Sequence, residues 1–198
     1  MLKQMSELAK ECMNELDIIR QAQDDLNNEL DRIWVEIDHS IQDEIKEMTG
    51  NLTMPMRPND STPGHYRSVP DYRNRNENLP RITIEVHDPR DSEVKNQYRI
   101  RLFWSGTDRK QLFKSSTGAQ QRLEELAKTE NVQLLQPTER DCSEKFVVVA
   151  PDKLDETATQ VSETIISYYR LVTEFLKWLQ QDPKIAVPQK SVSERAHK

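Results

Sequence analysis

The chain has 198 residues, enough for one domain or two small ones, with 35% hydrophobic and 31% charged side chains and only four glycines. So little apolar content places a core in part of the chain only, and so few glycines exclude a phosphate-cradling loop architecture, which needs backbone close to the anion. The net charge of -6 is uneven: residues 1–49 carry thirteen acidic against five basic side chains, a net of -8 that leaves about +2 elsewhere, which is not the basic footprint of a duplex-DNA binder.

Residues 1–49 read as one acidic heptad helix. With Leu2 at a and Met5 at d, the a positions are Leu2, Ala9, Leu16, Gln23, Leu30 and Ile37. The d positions are Met5, Cys12, Ile19, Leu26 and Ile33. Five regular heptads predict a coiled-coil seam, and a seam needs a second helix to cover it. Beyond Ile37 the apolar residues fall at Ile41, Ile45 and Met48, a four-residue slip of the stutter type, and Trp34 at e widens the stripe nearby. The flanking positions suit a parallel homodimer. Glu15 at g would face the partner's Arg20 at e, Leu8 would face the partner's Met13, and Gln23 at a would fix register at some loss of stability. Heptad fidelity thus favours pairing between chains through residues 1–37 over packing of the helix on its own domain.

Thr49-Gly50 ends this helix. Residues 50–80 hold five prolines and two glycines without periodicity, and read as a disordered linker. Tyr66-Arg67 and Tyr72-Arg73-Asn74-Arg75 interleave aromatic and basic side chains, as single-stranded nucleic-acid binders do. The segment's net charge of +1 is too small for charge-driven binding.

A folded body is expected over residues 81–182. Ile82, Ile84 and Val86 alternate with Thr83, Glu85 and His87, and Tyr98, Ile100, Leu102 and Trp104 alternate with Arg99, Arg101 and Phe103. That period of two predicts two half-buried strands, joined through Pro89 as an antiparallel hairpin. A short third strand is expected around Leu112 and Phe113. Thr117 and Gln120 form a capping-box pattern opening a helix to about Thr129, with Ala119, Leu123, Leu126 and Ala127 on one face. Strands follow at Val132–Gln136 and Lys145–Ala150, and Asp152 is expected to cap a last long helix stopped at Asp182-Pro183. Its wide apolar stripe, from Leu154 to Leu179, suits a helix that covers a sheet. Residues 183–198 are a polar tail of net +3, expected to be disordered.

The fold class is therefore α+β: a long N-terminal coiled-coil helix, a flexible linker, then an antiparallel sheet with two helices in the order β-β-(β)-α-β-β-α. In element order alone, helix, three strands, helix, two strands, helix, the chain resembles the small acidic secretion chaperones. Its first helix is longer than theirs and is set apart by the linker. The resemblance implies a layered α+β body and no site residues, because fold does not transfer function.

No catalytic, cofactor-binding or metal residues are expected. Glu93-Val94-Lys95, with Asp71 upstream, mimics a nuclease pattern in which carboxylates hold a divalent cation beside a lysine. These residues fall in a loop and the linker, which cannot hold such geometry. His87 beside Asp88 could orient an imidazole, yet no motif supplies a nucleophile, and Cys142 is expected in a polar turn. Cys12 and Cys142 are the only cysteines, so no disulfide framework exists. The absence of a leader pattern or long apolar run leads to a cytoplasmic location without membrane association as the expectation.

These readings lead to a non-enzymatic oligomeric adaptor, chaperone-like or assembly protein. A homo-oligomer, with a dimer favoured, would be held by Leu2, Met5, Leu16, Ile19, Gln23, Leu26, Leu30, Ile33 and Ile37. A partner protein would bind the α+β body, with Arg81, Arg99 and Arg101 as candidate contacts, and no cofactor is expected. The alternative is a nucleic-acid-associated accessory component, for example a subunit of a nuclease or defence system.

Overall fold

Strict alternation on two neighbouring segments sets the sheet. β5 (Ile82–His87) and β6 (Gln97–Trp104) pair antiparallel in the register Ile82 to Trp104 through His87 to Arg99. Side chains of directly paired residues share a face, so Ile82, Ile84, Val86, Tyr98, Ile100 and Leu102 form one apolar surface. The structure is a computed structural model and describes residues 7–49, 52–53, 56–58, 64–68, 71–72, 82–90, 96–104, 118–135 and 141–181. Within these residues the fold is α+β, with helices layered on one face of an antiparallel sheet.

Four short strands come from the span read as linker, two of them in the main sheet. β2 (Arg57–Pro58) pairs with β3 (His65–Ser68), and β3 pairs with β5, Tyr66 opposite Val86 and Ser68 opposite Ile84. Met56, Tyr66 and Ser68 are buried, so this part of the linker belongs to the folded body. β1 (Leu52–Thr53) and β4 (Asp71–Tyr72) form a separate two-stranded ladder. On the other side β7 (Asp141–Val148) pairs with β6, with a bulge at Leu102/Phe103, and the sheet order is β2-β3-β5-β6-β7. β7 starts earlier than the expected Lys145, and residues 132–135 are irregular rather than a strand. The expected strand around Leu112 lies outside the described residues.

α1 runs from Glu7 to Thr49, α2 from Ala119 to Thr129 and α3 from Leu154 to Gln181. α2 starts on Gly118, left-handed at φ 100° and without a side-chain cap, and Gln120 bonds Glu124 instead of reaching back. The N-cap is thus Gly118, and the expected capping residue Thr117 lies outside the described residues, while the buried face Ala119, Leu123, Leu126 and Ala127 is the expected one. α3 lies between α1 and α2 and covers β5, β6 and β7. Val161, Ile165, Leu171, Phe175 and Leu179 are fully buried there, and Phe175 packs edge-on against Trp104.

α1 joins this core with its second half only. Leu30, Ile33, Ile37, Ile41 and Ile45 are buried in the same cluster as α3 and the sheet. Ser40 donates to the Ser162 hydroxyl at 2.9 Å and Arg170 pairs with Glu44 at 2.8 Å. The stutter after Ile37 keeps Ile41 and Ile45 facing the body. Leu30, Ile33 and Ile37, expected to face a second chain, face their own.

Candidate functional site

The first half of α1 is the most unusual surface of the molecule. Every residue from Glu11 to Glu29 is exposed. Leu16, Ile19 and Leu26 are 52, 54 and 57% exposed, against 2, 2 and 0% for Leu30, Ile33 and Ile37 on the same a/d stripe. Met13, at e, adds exposed apolar area beside it. Gln23 and Cys12 are exposed as well, Leu2 and Met5 lie outside the described residues, and the acids of 11–29, six against the single Arg20, lie mostly off the stripe. A helix with one bare apolar face gains little from propensity alone, since tertiary cover supplies most helical stability.

At the boundary between the halves sits a polar knot. The Asp88 carboxylate, fully buried, accepts from the backbone N–H of Arg90 at 2.8 Å and from its Nε and Nη2 at 2.9 and 2.6 Å. The same guanidinium donates to Asp31 on α1 at 2.5 Å and to the Tyr66 hydroxyl at 2.9 Å. Tyr66 stacks on Trp34, ring centroids 3.4 Å apart. Burial pushes the Tyr66 phenol up to about 12, partly countered by Arg90. Gly64, at φ +73°, lets the chain pass close to Asp88: its carbonyl accepts from the Asp88 N–H at 2.7 Å, and a Cβ there would lie 1.9 Å from Asp88 Oδ1. Asp88 thus orients Arg90, not His87.

The second face of the sheet carries the candidate arginines. Glu85, buried, meets Arg67 at 3.1 Å, Arg101 at 3.2 Å and His87 at 3.3 Å. The guanidinium groups of Arg67 and Arg101 lie over the Phe103 ring at 5.6 and 5.3 Å. Arg99 pairs with Glu144 and lies 6.0 Å over Phe146. Arg99 and Arg101 are thereby neutralised within the sheet, and such ion-paired and ring-stacked guanidinium groups hold strands in register. Arg81, Glu93 and Lys95 lie outside the described residues.

A groove of about 690 Å³ opens between the end of α2, β7 and α3, edged by Lys128, Glu144, Lys145, Gln160 and Glu163. Beneath it Ser143 donates to the Gln133 carbonyl at 2.7 Å and shares a 2.9 Å bond with Tyr168. Burial pushes that phenol up to about 12, with the Ser143 bond opposing it. Cys142 is buried on β7 rather than in a turn. Among the described residues, no group of three His, Cys, Asp or Glu could hold a metal ion, and no helix is long and apolar enough to cross a membrane. No protein-family model matches the chain, and no curated protein or solved structure does so either.

Proposed function

We propose that the chain is a non-enzymatic oligomeric adaptor, self-associating through the bare half of α1 and presenting its α+β body to a partner protein. The carrying observation is the change of exposure at Leu30 along one continuous heptad stripe. The uncovered a/d residues Cys12, Leu16, Ile19, Gln23 and Leu26 are what a coiled-coil partner would bury. On the body, β7 is the last strand of the sheet among the described residues, and Phe146 and Val148 are exposed on the face that carries Arg99. An outermost strand with exposed apolar side chains suits an extended protein segment. The nucleic-acid reading has weaker support, because phosphate binding relies on available cationic charge and Arg67, Arg99 and Arg101 lie against Glu85 and Glu144.

Light scattering on the full chain tests the first part. A dimer is expected at micromolar concentration, lost in a Leu16→Glu, Ile19→Glu, Leu26→Glu triple variant whose circular dichroism in the body's thermal transition is unchanged. A monomer at every concentration sinks the proposal.

A further inference from the structure

We infer that α1 pairs antiparallel with α1 of a second copy over residues 7–28, leaving the two bodies at opposite ends of a shared rod. This rests on the self-association proposed above and adds its orientation and register. The opposite orientation, parallel, is the one the flanking residues Glu15 and Arg20 favour in the sequence.

The position of α3 decides between them. The contacts Ser40 to Ser162 and Glu44 to Arg170 advance together along both helices, so α3 runs in the same sense as α1. Cover of the a/d stripe begins at Leu30 and continues to Ile45. Along that stretch α3 fills the place that a parallel partner helix would take, on the same face. A second α1 laid parallel on residues 7–29 is itself a continuous 43-residue helix and would run on into α3. Making room would draw Leu30, Ile33 and Ile37 out of the core in both copies. Loss of one such buried side chain costs far more than a Glu–Arg pair at exposed flanking positions contributes. Exclusion outweighs the charge pair. Turned round, with Leu16 facing the partner's Ile19, Glu7 of the second helix stands opposite residue 28 of the first, short of the covered stretch, and the overlap is about 33 Å at 1.5 Å per residue.

The stripe is also self-complementary in that direction. With Leu16 facing the partner's Ile19, Cys12 meets the partner's Gln23. Thin side chains then oppose thick ones and the layers fill evenly. In parallel, Cys12 would meet its own copy and leave a thin layer. The antiparallel register is centred between Asp17 and Ile18, within the uncovered stretch. The acids Glu11, Asp17, Asp24 and Asp25 stand at outer heptad positions, so a second acidic copy is tolerated and added salt strengthens the pairing.

Disulfide trapping in the full chain tests this. The chain carrying Gln23→Cys and the unaltered chain are oxidised mildly at a concentration where light scattering gives a dimer, and the linked peptides are identified by mass spectrometry. The expected product joins Cys12 of one copy to the thiol introduced at position 23 of the other, with no Cys12–Cys12 bond in the unaltered chain. A Cys12–Cys12 bond, or a bond between the two introduced thiols, shows parallel pairing and overturns the inference while leaving self-association standing. A dimer that traps none of these bonds overturns the register. A monomer overturns both this inference and the reading beneath it.

Discussion

The two halves of α1 carry the same heptad rhythm, and only one of them is covered. From Leu30 to Ile45 the stripe is buried under α3 and the sheet; from Glu11 to Glu29 every residue is exposed. The difference lies in what stands beside the helix, not in its own residues. Periodicity reports that a face is made to be covered, and it is silent on which helix covers it.

The comparison breaks most readily at the junction. Arg90→Ala strips the fully buried Asp88 of its partner, and an uncompensated buried charge of this kind destabilises by about 3–5 kcal/mol. Denaturant unfolding should show that loss, while Asp31→Ala, whose carboxylate is largely exposed, should lose less than about 1 kcal/mol.

Next come matched truncations on the stripe. Ile37→Ala should destabilise by about 2–5 kcal/mol at any protein concentration. Ile19→Ala should change the unfolding of the dilute, unassociated chain by less than about 0.5 kcal/mol and act instead on its concentration dependence. Equal effects from the two substitutions would erase the distinction between the halves.

Alkaline titration gives a smaller effect confined to the covered region. The folded chain holds the Tyr66 and Tyr168 phenols neutral, up to about 12, and burial shifts Tyr98 and Tyr169 the same way. Their contribution is intact below the unfolded value near 10 and is lost as pH rises toward the folded value. By pH 11 each of Tyr66 and Tyr168 should remove about 1 kcal/mol. Urea transitions at pH 8 and pH 11 measure it, and Tyr66→Phe should reduce the pH effect. The smallest change is ionic. Raising salt from about 0.05 to 0.5 M shortens screening from more than 10 Å to below 5 Å and should tighten the dimer while moving body stability little.

The elements legible in the sequence were those with long, clean periods. β5 and β6 alternate over six and eight residues, and α3 repeats its stripe over seven turns, so each emerges without tertiary information. β3 was illegible because four residues, His65 to Ser68, cannot establish a period, and the prolines around them read as linker. The signal that bears on it is Tyr66 and Ser68 alternating with Arg67 just after Gly64. The start of α2 shows the limit of local chemistry, since left-handed Gly118 is its N-cap, one residue past the expected Thr117. Of the candidate surface, the stripe was visible to its last residue, but the change at Leu30 depends on α3, more than a hundred residues away. Arg99 and Arg101 looked available from sequence because their acidic neighbours, Glu85 and Glu144, come from other strands.

A helix gripped along one half is, mechanically, a cantilever. Its free arm is about 34 Å long, and its root is the layer of Leu30 and Ile33 with Asp31 tied through Arg90 to Asp88. A sideways load at the tip is multiplied by that arm and arrives as torque on the Asp88 turn, which the 2.7 Å bond to Gly64 links to the start of β3. The part that yields first under tension on the rod is therefore that turn and its neighbouring strand, and the grip of α3 on the rest of the sheet is spared.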